Sequence, residues 1–261
     1  MASPTYETIE FDVSENVATI TLNRPERLNS FNRTMVQEIS DAWARVRADD
    51  AIHAVLLQAS GDRAFCTGID VKEGVWWYGD NIWNQTDPGV LLGPKHHRVW
   101  KPVVTAVCGM CAGGAFYFVN ESDIVICSED ATFFDPHANN GGVSALEPIG
   151  MLQRGVPLGD VLRWALTGNE ERIGAATALR LGLVSDVLPA ASLRQEARRL
   201  AVGIARRRPE AIQGTVRAIW ESLDMGRGIA LQNGLAYTHI GNPVPGSPRS
   251  TFNLDQQQRT R

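Results

Sequence analysis

Val103-Val104-Thr105-Ala106-Val107-Cys108-Gly109-Met110-Cys111-Ala112-Gly113-Gly114-Ala115-Phe116-Tyr117 is the stretch whose reading decides the fold. A buried-strand pattern comes first, then a glycine-rich turn, then residues that can open a short helix. A helix start leaves N–H groups without intrahelical partners. Gly113 and Gly114 let the main chain come close to a ligand. Phe65-Cys66-Thr67-Gly68-Ile69-Asp70 is a second stretch of this kind, downstream of the apolar run Ala54-Val55-Leu56-Leu57. Together the two can aim two N–H groups at one carbonyl oxygen, as an oxyanion hole does.

Outward from these stretches, strands and helices alternate, which argues for an α/β arrangement. Glu7 to Leu22 alternates apolar and polar residues in two runs, with a turn at Ser14-Glu15-Asn16. Asn32 is a candidate N-cap for a helix over Thr34 to Arg47, whose apolar face is Met35, Ile39, Trp43 and Val46. Ile124 to Cys127 reads as a buried strand and Ala131 to Phe134 as a short edge-like one. Helical patterns follow at Leu158–Leu166, Ala175–Leu181, Ser192–Arg207 and Pro209–Leu223, interrupted by a strand at Leu183–Leu188.

Three segments share one register with a known family. FCTGID (65–70), AVCGMCAGGAFYFVNESDI (106–124) and LTGNEERIGAATALRLGLVSDVLP (166–189) resemble the crotonase superfamily, the enoyl-CoA hydratase/isomerase family. TLNRPERLNSFN (21–32) is similar to its opening segment. The resemblance runs from about Tyr6 to Arg217. It implies a crotonase-like α/β fold of repeated ββα units with a helical C-terminal arm. The core would span residues 1–190 and the arm residues 191–261, the arm packing subunits into a homotrimer or a dimer of trimers. It also implies an acyl-CoA thioester as substrate, with coenzyme A as part of that substrate, no separate cofactor and no metal, and a place in fatty acid metabolism.

By motif position, the oxyanion N–H groups belong to Ile69 and Gly114. Arg27, Leu28, Thr67 and Asp70 stand where the family contacts coenzyme A. Hydratases of the family use two glutamates. Tyr117 and His137 occupy those motif positions here. Glu147 lies nearest to the place where some isomerases and a dehalogenase branch carry an acid. His137, Tyr117 and Glu147 are therefore the candidate acid/base set. An imidazole titrates near neutrality and suits a base, whereas Glu147 can also be read as a helix-start charge ahead of Pro148. Two alternatives stay open: a carbon–carbon bond hydrolase of cyclic β-diketones, whose branch also has Pro-His at this point, and a non-catalytic acyl-CoA binding protein.

The aromatics of Val75 to Val99 and beyond (Trp76, Trp77, Tyr78, Trp83, Trp100) point to a bulky acyl group or to a packing patch. Of His96 and His97, at most one can face the pocket. Glu121 is expected to make a buried pairing rather than to catalyse. The 261-residue chain carries a net charge of −4 and only three lysines, which gives no basis for nucleic-acid binding. No apolar run is long enough to cross a membrane. Cys108 and Cys111 read as small buried residues, and the free thiols fit a cytoplasmic protein.

Overall fold

The computed structural model describes residues 5–74, 83 and 87–241. Strands β1 (Ile9–Ser14) and β2 (Val17–Leu22) form an antiparallel hairpin. Glu15 and Asn16 take φ of +53° and +61°, the twist that closes a two-residue hairpin. β3 (Ala54–Ala59), β5 (Val103–Val107), β7 (Ile124–Ser128) and β10 (Asp186–Leu188) extend this hairpin into a six-stranded sheet. Its order is β1-β2-β3-β5-β7-β10, and every pair after the hairpin is parallel.

A second, four-stranded sheet holds β4 (Ala64–Cys66), β6 (Met110–Ala112), β8 (Thr132–Phe134) and β9 (Ile173–Gly174), in that order. The pairs β3/β4, β5/β6 and β7/β8 each send one strand to each sheet. Gly109 makes the second of these switches. Its φ is +58°, and a Cβ there would lie 2.4 Å from the carbonyl oxygen of Arg63, so only glycine fits.

Helix α1 (Arg33–Ala48) begins where Asn32 caps it, the Asn32 side chain accepting from Met35 N–H at 2.9 Å. It buries Met35, Ile39, Trp43 and Val46, the face read from the sequence, and adds Val36 and Ala42. Then come α2 (Phe116–Glu121), α3 (Leu146–Gln153), α4 (Leu158–Thr167), α5 (Ala175–Arg180) and α6 (Ala190–Ala205). One core, with Trp43, Phe65, Phe116, Phe118 and Phe133 at its centre, fills the space between the elements. A second lies under α6, where Leu193, Ala197 and Ala201 meet Leu56, Val104 and Ile126. With both faces covered, the central strands read as apolar runs. The residue-190 boundary thus falls at the start of a helix that packs on the main sheet. The helices beyond it are α7 (Pro209–Ser222), none of whose residues is buried, and α8 (Arg227–Gly241).

The structure corrects two expectations. Thr132–Phe134 is no edge strand: β6 pairs with it in parallel on one side and β9 antiparallel on the other. A two-residue partner was too short to leave a pattern. The strand expected from Leu183 begins only at Asp186, because Leu183 and Val184 are buried in the turn that ends α5, their N–H groups donating to Ala178 O. Among the described residues, no helix is long and apolar enough to cross a membrane.

Candidate active site

In the second sheet β4, β6 and β8 lie side by side and parallel. Their C-terminal ends therefore release three loops within about 5 Å of one another, strand to strand. Thr67 to Asp70 follow β4, Gly113 to Ala115 follow β6, and Asp135 to His137 follow β8. A cavity of about 930 Å³ opens at these ends. Arg27, Leu28, Thr67, Ile69, Asp70, Gly114, Tyr117, His137 and Glu147 all line it, so the nine residues singled out from the sequence meet in one place.

Ile69 and Gly114 bring free N–H groups to its wall. Phe31 N–H donates to Gly68 O and Asp70 N–H to Phe31 O, both at 2.8 Å. That parallel bridge turns the Ile69 N–H to the opposite side. Gly114 is the second residue of a 3-10 turn and has no carbonyl partner within it. The two loops nearly touch, since a Cβ on Gly68 would stand 3.1 Å from Gly114 N. Two such donors can hold an oxygen on which negative charge develops.

His137 is turned by the local backbone. Pro136 ends the strand, and His137 adopts helical angles (φ −58°, ψ −48°). Its side chain and that of Asp135 lie on the same side, with Nδ1 2.5 Å from Asp135 Oδ1. Asp135 also accepts the His137 N–H at 3.0 Å and is fully buried. The hydrogen bond to Asp135 raises the His137 pKa above its ordinary 6.5 against the effect of burial, and Glu147 and Asp87 add to the rise. Burial acts to raise the Asp135 carboxyl, yet its hydrogen bonds with His137 hold it below the ordinary range. The other ring nitrogen, Nε2, lies 4.0 Å from Glu147 Oε1.

Glu147 sits in the first turn of α3 with its side chain 5% exposed. Burial pushes its carboxyl up, and the nearby His137 pulls it partly back. Burial also pushes the Tyr117 hydroxyl far above its ordinary range, helped by the Glu147 and Asp87 carboxylates. Tyr117 therefore stays a protonated donor. Asp87, whose Oδ1 accepts from Gly89 N–H at 2.7 Å, completes the ring of acids.

Sequence reasoning left out Asp135 and Asp87 as site residues. Strand alternation puts residues two apart on one face, but Pro136 interrupts the strand between Asp135 and His137, so the pairing could not be read from it. Asp87 carries no motif. The Asp70 carboxylate is held by Arg24 at 3.0 Å and by Lys72 N–H at 3.1 Å. Arg27 is exposed at the cavity mouth, where Lys72 supplies a second cation. His96 is exposed and His97 Nε2 lies 2.9 Å from Leu91 O, so neither lines this cavity. Trp76, Trp77 and Tyr78 lie outside the described residues, and Trp83 is 87% exposed. Glu121 accepts from the N–H groups of Lys95 at 2.6 Å and His96 at 3.1 Å, a pairing that is half-buried rather than buried.

Residues 12–233 match the model of the enoyl-CoA hydratase/isomerase family. The chain belongs to that family. Among curated members, (E)-benzylidenesuccinyl-CoA hydratase of Thauera aromatica is 33% identical over 232 residues, covering 89% of this chain and 88% of that one. Mevalonyl-coenzyme A hydratase of Aspergillus fumigatus is 31% identical, with 79% and 76% covered. The crystal structure of an enoyl-CoA hydratase/isomerase from Mycobacterium paratuberculosis superposes with a TM-score of 0.81 at 34% identity, covering 90% of each chain. Family membership and the α/β architecture with its helical C-terminal region thus agree, and membership supports acyl-CoA processing of the enoyl-CoA hydratase/isomerase kind.

Proposed function

We propose that the chain acts on an acyl-CoA thioester through an enolate whose oxygen sits between the N–H groups of Ile69 and Gly114. His137, backed by Asp135, moves the proton. The observation that carries this reading is the convergence of the two free N–H groups and the Asp135–His137 pair on one cavity. Asp135 accepts from Nδ1–H, so Nε2 is the basic nitrogen, and Asp135 stabilises the imidazolium that forms. Glu147, whose carboxyl burial raises, and Tyr117, a protonated donor, are placed to return a proton to carbon or to a leaving oxygen. Arg27 and Lys72 at the mouth suit the phosphates of coenzyme A, with the main chain of Leu28, Thr67 and Asp70 along the thiol arm.

Hydration of a small enoyl group is the step this set supports least. At the two motif positions where family hydratases carry glutamate stand Tyr117 and His137. We expect crotonyl-CoA hydration to be slow. A bulky acyl group is favoured instead, in line with the aromatic-rich segment before Val99 and with a relative whose name joins a benzylidene group to a succinyl thioester. The test is turnover of a panel of enoyl-CoA thioesters, from crotonyl to aryl-substituted, followed by loss of the enoyl absorbance. Fast turnover of crotonyl-CoA and none of the bulky thioesters would sink this reading. The Asp135–His137 pair also favours a second reading, hydrolysis of a carbon–carbon bond in a cyclic β-diketone. Turnover of a free diketone, with no thioester in the assay, would select it.

A further inference from the structure

Asp87 stands just ahead of a 3-10 turn over Pro88–Leu91 and caps it, Oδ1 accepting from Gly89 N–H at 2.7 Å. That turn is laid against the site. Gly89 is buried, and a Cβ on it would collide with the Tyr117 ring. The same ring borders the oxyanion turn, its Cε2 3.5 Å from where a Cβ on Gly114 would stand. Asp87, Tyr117 and Glu147 line the first cavity together. The cap therefore seats Gly89 on the ring and so sets where the phenol hydroxyl stands.

A phenol has one proton to donate and lone pairs with which to accept. Burial first, and then the carboxylates of Glu147 and Asp87, push the Tyr117 hydroxyl far above its ordinary range, so two acids act on it at once. One proton cannot serve both. Glu147 is the more enclosed of the two, with its side chain 5% exposed, whereas Asp87 is half-buried. Charge costs more in the more enclosed place. Burial pushes the Glu147 carboxyl up, and the charges of Asp135 and Asp87 add to the rise while His137 opposes it. Glu147 thus keeps a proton of its own, and Asp87 is the acceptor left for the hydroxyl. The other charged groups around Glu147 are placed otherwise. Arg154, farther along α3, donates to the main-chain oxygens of Asn120 and Ser122. On α4, which packs on α3, Asp160 and Arg163 pair with Arg180 and Glu171 at the surface. Arg27 and Lys72 stand at the cavity mouth.

We propose that Asp87 is a positioning residue: its carboxylate accepts from the Tyr117 O–H, whose oxygen accepts in turn from the protonated Glu147, so that the Glu147 proton is held in place for the substrate. This arrangement rests on the acid/base reading above and selects Glu147, rather than Tyr117, as the acid.

The test is the titration of Glu147 itself. It is read by carbon NMR of the full chain labelled at the glutamate side-chain carboxyl, with the Glu147 signal assigned by its loss in Glu147→Gln. No substrate is needed. Asp87→Asn removes the charge and keeps the cap, since asparagine accepts from a turn N–H as aspartate does. The freed hydroxyl then donates to Glu147, and a hydrogen bond to the charged form favours that form. We expect the Glu147 midpoint to fall by about one pH unit, a tenfold change in proton affinity. Tyr117→Phe takes away the oxygen that accepts from Glu147 and should also lower the midpoint. Adding Asp87→Asn to Tyr117→Phe should lower it little further, because Asp87 acts through the hydroxyl. A midpoint that rises in Tyr117→Phe would mean that the hydroxyl donates to Glu147. One that stays put in Asp87→Asn would mean that Asp87 only caps the turn, and equal falls with and without the hydroxyl would mean that it acts directly through space. Each of these three results overturns the proposal. The expected shifts in a protein that turns over no acyl-CoA would overturn the acyl-CoA reading and leave the Asp87 arrangement standing.

Discussion

Nδ1–H of His137 is committed to Asp135 Oδ1, which leaves Nε2 to exchange protons. As the proposed base, His137 would have to be neutral to work. Asp135 raises its pKa, so the catalytic rate should rise with pH through an inflection above the ordinary 6.5. Asp135→Asn should move the inflection down and slow the reaction; an unmoved inflection would separate the pair functionally. His137→Gln should lower kcat by about 10²–10⁴-fold with little change in binding. Steady-state kinetics and calorimetry on one preparation would read both effects. Glu147 gives a stability prediction of opposite sense. Its carboxyl is raised by burial, so the folded state holds its proton more tightly than the unfolded chain does. Stability from this group is fully present below its unfolded pKa and is lost as pH climbs through the folded value. Glu147→Gln should therefore gain stability relative to the parent as pH rises, while losing activity. Urea midpoints compared at acidic and neutral pH would show it.

The three parallel strands β4, β6 and β8 hold the site as a unit, and their loops were legible in the sequence to different degrees. FCTGID and CAGGAF declared themselves through glycine after an apolar run, and the family resemblance then assigned the two N–H groups to Ile69 and Gly114. Asp135 was hidden, because alternation along a strand assigns residues two apart to one face only while the strand lasts, and Pro136 ends it. β9 has two residues and α8 lacks a repeating apolar stripe, so neither left a period to read. The buried face of α1, by contrast, was complete enough in sequence to give four of its six core residues. Gly114 offers a test at this scale. A Cβ there would lie 2.8 Å from the Phe31 ring. Gly114→Ala should displace the turn that opens α2 and cut the rate by at least the roughly 10²-fold that losing one oxyanion donor costs. A rate within twofold of the parent would mean that the Gly114 N–H is not used.

Over the whole molecule, the two ends of the chain are held differently. The sheets and α6 enclose two apolar cores, whereas α7 and α8 leave Ile219, Leu223, Ile229, Leu231, Leu235 and Ile240 more than half exposed. Apolar surface of this extent calls for cover, and we expect copies of the chain to supply it. Sedimentation equilibrium should give a mass three or six times that of the single chain, and a monomer at micromolar concentration would refute this. The strand pairs described above have a consequence for descent. Each strand pair delivers one loop to the site, and what the first two are proposed to offer is main-chain N–H groups, which depend on the backbone's path and its glycines rather than on side-chain chemistry. Side-chain chemistry enters mainly through the third loop and the helix after it. A lineage built this way can exchange one reaction for another by rewriting residues 135–147, with its hold on the thioester inherited intact.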